Sequence, residues 1–159
     1  DQVGSIGFAN YVDLPHTPRY CFGHGLSYTQ FSYSDLKLSK KEIGPFETIE
    51  IRVDVENVGS RVGDEVVQLY LRDLYASMAR PVKELAGFKR ITLEPGEKQT
   101  VIFEVKASQM AFLDMNMQWK VEKGTFLVGF SPHCFVCCCP ARQSRLLPLR
   151  SRFQTEART

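Results

Sequence analysis

The side chains best suited to bind a metal or attack a substrate are cysteines and histidines, and most of them lie near the C-terminus. One histidine and four of the five cysteines occur close together: His133, Cys134, Cys137, Cys138 and Cys139. Cys-x-x-Cys is a spacing found among zinc ligands, so a zinc site is one hypothesis for this cluster. Structural zinc sites normally combine two such pairs, and the sequence holds no second pair. We therefore predict no metal site.

The other candidate groups lack the partners that catalysis needs. Cys21 stands alone among aromatic residues, which predicts a small buried apolar side chain rather than a nucleophile. The run Gly23-His24-Gly25 lacks the third glycine and the following helix of a nucleotide-binding loop. His16 lies in a proline-flanked turn, without metal-ligand spacing to another histidine. We accordingly predict no catalytic residue and no cofactor in this chain.

Charge is divided unevenly along the 159 residues. Residues 131–159 hold five arginines and one glutamate, so residues 1–130 carry 15 positive and 17 negative side chains although the whole chain is +2. A body without a basic patch argues against nucleic acid as a partner. No apolar run reaches the roughly 18 to 20 residues that cross a bilayer, so we expect a soluble domain without a membrane segment and assign it no compartment. Because the chain begins with Asp1 rather than Met, we expect it to be part of a longer product.

The stretch around which the fold is organised runs from Gly63 to Arg90. Its first half, residues 63–73, alternates apolar and polar residues and predicts a strand with one face in the core: Val67, Leu69 and Leu71. Val66 and Tyr70 fall on the opposite face, where solvated side chains are expected. Pro81 confines any strand of the second half to a sheet edge or to its own start.

Similar patterns on either side predict an all-β fold. Residues 49–55 alternate between aliphatic and charged side chains, and residues 94–97 predict a type II turn with Gly96 at its third position. Phe31 and Tyr33 are out of phase with Leu36 and Leu38, as a β-bulge would produce. About seven strands separated by turns predict an antiparallel two-sheet sandwich. Its expected core includes Val53, Val67, Leu69 and Phe103.

Residues 1–30 have little periodicity but are rich in aromatic side chains. Such rings need a surface to bury against. Two alternatives are open: they lie on this domain's own sandwich, or they contact a neighbouring domain outside this chain. We predict a docking face that combines some of them with the outward residues of the central strand: Tyr20, Phe22, Tyr28, Val66 and Tyr70.

Two long motifs in the central stretch identify a family. GDEVVQLYLRD at 63–73, followed by RPVKELAGFKR at 80–90, resembles the fibronectin type III-like domain at the C-terminal end of family 3 glycoside hydrolases, the β-glucosidases and β-xylosidases. FGHGLSYT at 22–29 is similar to the family's connector from its α/β sandwich domain, with His24 where an aromatic residue is usual. The resemblance covers about residues 11–130. It implies an immunoglobulin-like sandwich whose partners are the catalytic domains of the same parent chain.

The resemblance also implies a structural domain that is inactive alone. Retaining glycosidases need two carboxyl groups about 5 to 5.5 Å apart. In the family the nucleophile belongs to the N-terminal barrel and the acid/base to the catalytic region, and neither matches a position here. The predicted function is to brace the catalytic domains of a parent enzyme that resembles a β-glucosidase. Two alternatives stay open: a carbohydrate-binding module with Tyr70 and Tyr75 as its platform, and a free-standing adaptor.

The predicted domain organisation has three parts. Residues 1–30 form a connector from an upstream catalytic region, residues 31–130 the type III-like domain, and residues 131–159 an aberrant, disordered tail. The tail is predicted from the abrupt change to a cysteine- and arginine-rich sequence without period, as a shifted reading frame would produce. Losing the end of the final strand in this way would leave a neighbouring sheet edge unpaired.

Overall fold

The computed structural model describes residues 20, 22–131 and 146–151, which form β-strands and one short 3₁₀ helix, Ala107–Met110. In this part of the chain, no helix is long and apolar enough to cross a membrane. The strands are β1 (Phe31–Leu38), β2 (Glu42–Ile43), β3 (Thr48–Asn57), β4 (Gly63–Asp73), β5 (Glu84–Leu93), β6 (Lys98–Lys106), β7 (Phe112–Leu113), β8 (Trp119–Lys120), β9 (Gly124–Ser131) and β10 (Leu146–Ser151).

The longer strands form two sheets. One contains three strands in the order β1-β3-β6, and the other contains five in the order β2-β10-β9-β4-β5. Strands β7 and β8 form a separate hairpin. All pairings are antiparallel except the short one between β10 and β2. The predicted all-β, antiparallel two-sheet sandwich is therefore confirmed.

One apolar core joins the two sheets. Alternate residues of β3, β4 and β6 enter it, because successive side chains of a strand point to opposite faces. The four residues predicted to be buried are confirmed: Val53, Val67, Leu69 and Phe103 are 2, 0, 0 and 6% exposed. Met110, at the end of the 3₁₀ helix, is fully buried in the same cluster.

Two predicted local features also occur. The pairing of β1 with β3 shifts register between Ser34 and Lys37, where Asp35 has a φ of 50°. This bulge explains why the apolar residues of β1 change phase. In the turn before β6, Gly96 has a φ of 78°, and the Glu97 N–H donates to the Glu94 carbonyl oxygen at 3.0 Å. The predicted type II turn requires this positive φ.

The expectation that residues 131–159 lie outside the fold is wrong for Leu146–Ser151. These residues form β10, which pairs with β9 along its whole length and, through its last two residues, with β2. Leu149 is fully buried, and Ser151 is 2% exposed. The segment is short and contains Pro148, so its sequence has too little alternation to predict a strand. It forms a strand because its backbone hydrogen-bonds to the free edge of β9. Cys21, His133 and the cysteine cluster lie outside the described residues.

Candidate functional site

Four of the five residues predicted to form a docking face reach solvent. Tyr20, Phe22 and Tyr28 are 67, 65 and 93% exposed, and Val66 is 40% exposed. Val66 points away from the core because its neighbour Val67 points into it. The aromatic residues belong to the connector that precedes β1. Both sets therefore present apolar side chains at the surface of this chain.

Tyr70, the fifth predicted residue, is buried in this chain and is only 5% exposed. Its hydroxyl donates to Gln68 Oε1 at 2.6 Å, and Gln68 Nε2 donates to the Gly23 carbonyl oxygen at 3.3 Å. The connector thus lies against the outer face of β4. Alternation along the strand alone had predicted that this face is exposed to solvent. Tyr70 provides neither exposed docking surface nor a carbohydrate platform, whereas Tyr75 is 85% exposed.

Gly23 allows the connector to approach β4 closely. Its φ is 74°, in the left-handed region that glycine adopts without steric cost. A Cβ at this position would collide with the side-chain amide of Gln68. The absence of a side chain at Gly23 therefore allows the connector backbone, just after the exposed Phe22, to lie against Gln68 on the outer face of the five-stranded sheet.

Phe88 belongs to the same surface, although it is not among the residues predicted to form the docking face. It lies directly opposite Gln68 in the β4–β5 pairing, and directly opposed residues of antiparallel strands share a face. Phe88 is 67% exposed. The pairing of β4 with β5 is regular from Leu93 to Gly87, so alternation from the buried Leu93 places Phe88 on the outer face. The available signal was a large apolar residue among the charges of the second family motif.

We refer to Phe22, Val66, Leu85 and Phe88 as the outer apolar surface. Leu85, opposite Tyr70, is 39% exposed and completes it on β5. Val66, Leu85 and Phe88 lie on the outer face of β4 and β5, and Phe22 directly precedes Gly23, whose carbonyl oxygen accepts a hydrogen bond from Gln68 of β4. Contiguous exposed apolar surface of this kind marks a site of protein contact more often than it marks ordinary solvated surface.

Charged residues border the outer apolar surface. Arg90, opposite Val66, forms an ion pair with Asp64, and the Thr92 hydroxyl donates to Asp64 Oδ1 at 2.5 Å. The hydrogen bonds from Thr92 and then from Arg90 lower the pKa of Asp64. An apolar centre with a polar rim is the usual arrangement of a protein–protein interface.

Among the described residues, two carboxyl groups have raised pKa values, as an acid catalyst requires, but they lie at opposite ends of β4. Burial raises the pKa of Glu65, which accepts a hydrogen bond from the Tyr33 hydroxyl at 2.5 Å. Burial also raises the pKa of Asp73, which pairs with Arg80 at 3.1 Å. Because a strand rises about 3.3 Å per residue, the two backbones are roughly 26 Å apart. A retaining pair needs about 5 to 5.5 Å.

The described residues offer no candidate metal centre. Among them, no group of three His, Cys, Asp or Glu side chains could hold a metal ion. A recess beside Arg80, lined by Leu71, Met110 and Phe126 among others, is too narrow to admit a water molecule. The exposed apolar side chains of the described part of the chain fit contact with another protein surface.

Comparisons with known proteins agree with the fold. Residues 65–131 match the family described as the fibronectin type III-like domain. The chain is 39% identical over 151 residues to the thermostable β-glucosidase B of Acetivibrio thermocellus, a match that covers 93% of this chain and 20% of that enzyme. It is 45% identical over 129 residues to a β-xylosidase of Formosa agariphila, covering 81% of this chain and 18% of that protein.

Solved structures give the same result. A β-glucosidase from Erythrobacter marinus superposes with a TM-score of 0.78 at 38% identity, over 91% of this chain and 18% of that one. A β-glucosidase from Listeria innocua in complex with gluconolactone gives a TM-score of 0.76 at 30% identity, over 94% of this chain and 20% of that one. The chain belongs to the fibronectin type III-like domains of family 3 glycoside hydrolases, as its motifs predicted.

The extent of these matches has two consequences. The chain spans about a fifth of the length of the relatives it matches, so it corresponds to a small part of a larger enzyme. Residues 1–130 are about four fifths of the chain. A match that covers 93% of the chain therefore extends beyond residue 130, further than the resemblance drawn from the motifs.

Proposed function

We propose that this chain is the non-catalytic C-terminal domain of a family 3 β-glucosidase and that it braces the catalytic domains of the same enzyme. The observation that carries the proposal is the outer apolar surface, where Phe88 is 67% exposed and Phe22 is 65% exposed. Burying such rings against a neighbouring domain removes a large apolar area from water. The neighbour is the part of the enzyme that makes up the other four fifths of the relatives' length.

The position of the connector supports this arrangement. In the proposal, residues 1–30 lead from the catalytic region to the sandwich. The contact between Gly23 and Gln68 places the end of this connector on the outer face of β4. The connector and the outer apolar surface would then be covered together by the catalytic region. Tyr20 and Tyr28, exposed on the connector, would contribute rings to the same interface.

The catalytic groups of the parent enzyme would lie outside this chain. The relatives are named β-glucosidases and β-xylosidases, and hydrolysis with retention needs two closely spaced carboxyl groups. Glu65 and Asp73 are too far apart along β4 to act as such a pair. The contribution proposed for this chain is to hold the catalytic domains in their active arrangement.

A complementation experiment tests the docking surface. The probe is the A. thermocellus enzyme lacking the fifth of its length that matches this chain, mixed with the purified chain. We expect the wild-type chain to bind this truncated enzyme and raise its melting temperature. Phe88→Lys should weaken binding by roughly tenfold or more, because loss of a central aromatic anchor commonly costs 2 kcal/mol or more.

Ile102 provides a matched control for Phe88→Lys. It is 38% exposed on β6, in the other sheet, so Ile102→Lys adds the same charge at an exposed apolar position outside the outer apolar surface. Binding by Ile102→Lys should match that of the wild type. Equal affinity of Phe88→Lys and the wild type, or no binding by the wild type, would contradict the proposal.

A further inference from the structure

Arg72 lies at one end of the outer face of β4 and is exposed. Its side chain points outward because its neighbour Leu71 points into the core. Arg72 follows Tyr70 by two residues, and Tyr70 lies opposite Leu85 of the outer apolar surface. Since a strand rises about 3.3 Å per residue, the backbones of Arg72 and Tyr70 are roughly 7 Å apart. Arg72 therefore borders the outer apolar surface at the end away from Val66.

Two acids close to Arg72 in the sheet are bound to a different cation. Asp73 follows Arg72 in the chain, and Glu84 lies at the start of β5, opposite Leu71. The guanidinium of Arg80 donates to Asp73 at 3.1 Å and to Glu84 at 3.0 Å. Among the described residues, no acid forms an ion pair with Arg72. The positive charge of Arg72 is therefore not neutralised within the described part of the chain.

Two other arginines on the described outer face of this sheet lie beside acids. Arg90 of β5 forms an ion pair with Asp64. Arg150 of β10 lies opposite Glu42 in the pairing with β2. Arg72 differs from both, because the described strand pairings place no acid opposite it.

Apolar side chains border Arg72 instead. Leu127 of β9 lies directly opposite it and is half-buried, and Pro148 of β10 lies opposite Leu127 and is exposed. Directly opposed residues of antiparallel strands share a face. On the other side of β4, Leu85 of β5 lies opposite Tyr70, two residues before Arg72. A partner that covers Leu85 and Leu127 together would therefore also cover Arg72, which lies on the strand between them.

In the function proposed above, on which this inference rests, the covering partner is the catalytic region of the same enzyme. The connector that leads from that region already lies on this face, where the Gly23 carbonyl oxygen accepts a hydrogen bond from Gln68, four residues before Arg72. Removing an unpaired guanidinium from water is costly, whereas a carboxylate offers it two parallel, charge-assisted hydrogen bonds. A surface that buries Arg72 therefore has to present an acid to it.

We infer that Arg72 is the charged anchor of the docking surface and that an aspartate or glutamate side chain of the catalytic region binds its guanidinium. Phe88 lies opposite Gln68, four residues before Arg72 along β4, so the backbones of Phe88 and Arg72 are about 14 Å apart. The partner surface is thus defined by an apolar recess for Phe88 and a carboxylate at about this distance from it. Arginine suits this contact because its planar guanidinium matches the two oxygens of a carboxylate.

Binding at a series of salt concentrations tests the anchor. The probe is again the A. thermocellus enzyme lacking the fifth of its length that matches this chain. Binding of the wild-type chain should weaken as sodium chloride is added, because salt screens the attraction between charges. Arg72→Gln should bind roughly thirtyfold more weakly at low salt and should lose most of this salt dependence, as expected when one member of a covered charge pair is removed.

Arg52→Gln is the matched control for Arg72→Gln. Arg52 lies on β3 in the other sheet, and its side chain is 55% exposed. The control removes the same charge away from the docking surface, so its affinity and salt dependence should equal those of the wild type. An equal loss of affinity in both variants would show that only the overall charge of the chain matters, which contradicts the inference.

Different results would overturn this inference and the proposed function. If Arg72→Gln binds with the wild-type affinity and salt dependence while Phe88→Lys binds weakly, Arg72 is not an anchor, but the proposed function stands. A lower melting temperature of the free Arg72→Gln chain would show that Arg72 acts within the sandwich instead. Absence of binding by the wild-type chain would overturn the inference and the proposed function together.

Discussion

Glu65 is a buried acid on the core-facing side of β4. It alternates in step with Val67 and Leu69, so it points to the same face of β4, and it is 8% exposed. The Tyr33 hydroxyl, which comes from β1 of the opposite sheet, donates to Glu65 Oε1 at 2.5 Å. Burial raises the pKa of Glu65, and burial with the neighbouring Glu65 raises the pKa of Tyr33. The pair links the two sheets through one hydrogen bond.

The raised pKa of Glu65 predicts a specific pH dependence of stability. Since the folded state holds this proton more tightly than the unfolded state, the contribution is fully present below the ordinary carboxyl pKa and is lost as pH rises through the raised value. Glu65→Gln keeps an acceptor for Tyr33 without the charge. We expect the variant to gain stability relative to the wild type as pH rises above about 4.5.

Urea unfolding at a series of pH values measures this difference in free energy of unfolding. All other titrating groups are shared by the two proteins, so their contributions cancel. A difference that stays constant between about pH 4 and pH 8 would show that Glu65 does not titrate as its burial requires.

At the scale of elements, Arg80 joins the strands at one end of the sandwich. Its guanidinium donates to Asp73 Oδ2 at the end of β4 (3.1 Å), to Glu84 Oε2 at the start of β5 (3.0 Å), and to the Met110 carbonyl oxygen (2.9 Å). It also lies over the ring of Phe112, 5.4 Å from the centroid. The side chains of Arg80 and Asp73 are 8 and 6% exposed. The first residue of the second family motif thus has a structural role.

Removing Arg80 should destabilise the chain far more than removing an exposed arginine. Arg80→Met keeps much of the side-chain volume but leaves Asp73 buried without its cation, which typically costs about 3 to 5 kcal/mol. Arg90 is the matched control, since it pairs with Asp64 and its side chain is 71% exposed. Arg90→Met should cost less than about 1 kcal/mol. Chemical denaturation measures both, and similar small losses would refute the structural role of Arg80.

At the scale of the whole molecule, the described residues combine separated acids with exposed aromatic rings. The two acids with raised pKa values lie at opposite ends of β4, and the recess beside Asp73 is too narrow to admit a water molecule. Exposed rings occur on the connector (Tyr20, Phe22 and Tyr28), on strands (Phe88 and Trp119) and in loops (Phe46 and Tyr75). Those on the connector and on β5 agree with the proposal that this domain braces the catalytic region of the same enzyme.

We therefore expect the purified chain to be inactive. It should release no nitrophenol from aryl β-glucosides or aryl β-xylosides, because hydrolysis needs a proton-donating carboxyl group close to a nucleophilic one, and the two described acids with raised pKa values lie at opposite ends of β4. The A. thermocellus β-glucosidase is the positive control. Turnover above that of buffer, retained after repurification, would contradict this expectation.

The sequence by itself determined the parts of the fold that depend on local geometry. Alternation predicted that Val53, Val67, Leu69 and Phe103 face the core, since a strand turns successive side chains to opposite faces. The positive φ at Gly96 follows from turn chemistry that spans four residues. Two long motifs gave the family without any knowledge of contacts.

The tertiary structure alone decided what depends on segments distant along the chain. Alternation placed Tyr70 on the outer face, but its burial arises where the connector crosses β4. The exposure of Phe88 depends on what covers the outer face of β5, and alternation along β5 does not reveal this. β10 becomes a strand because β9 offers an edge, although its own sequence has almost no strand period. Whether two strands pair, and whether one segment buries another, depends on both segments, so the sequence of either segment alone does not predict it.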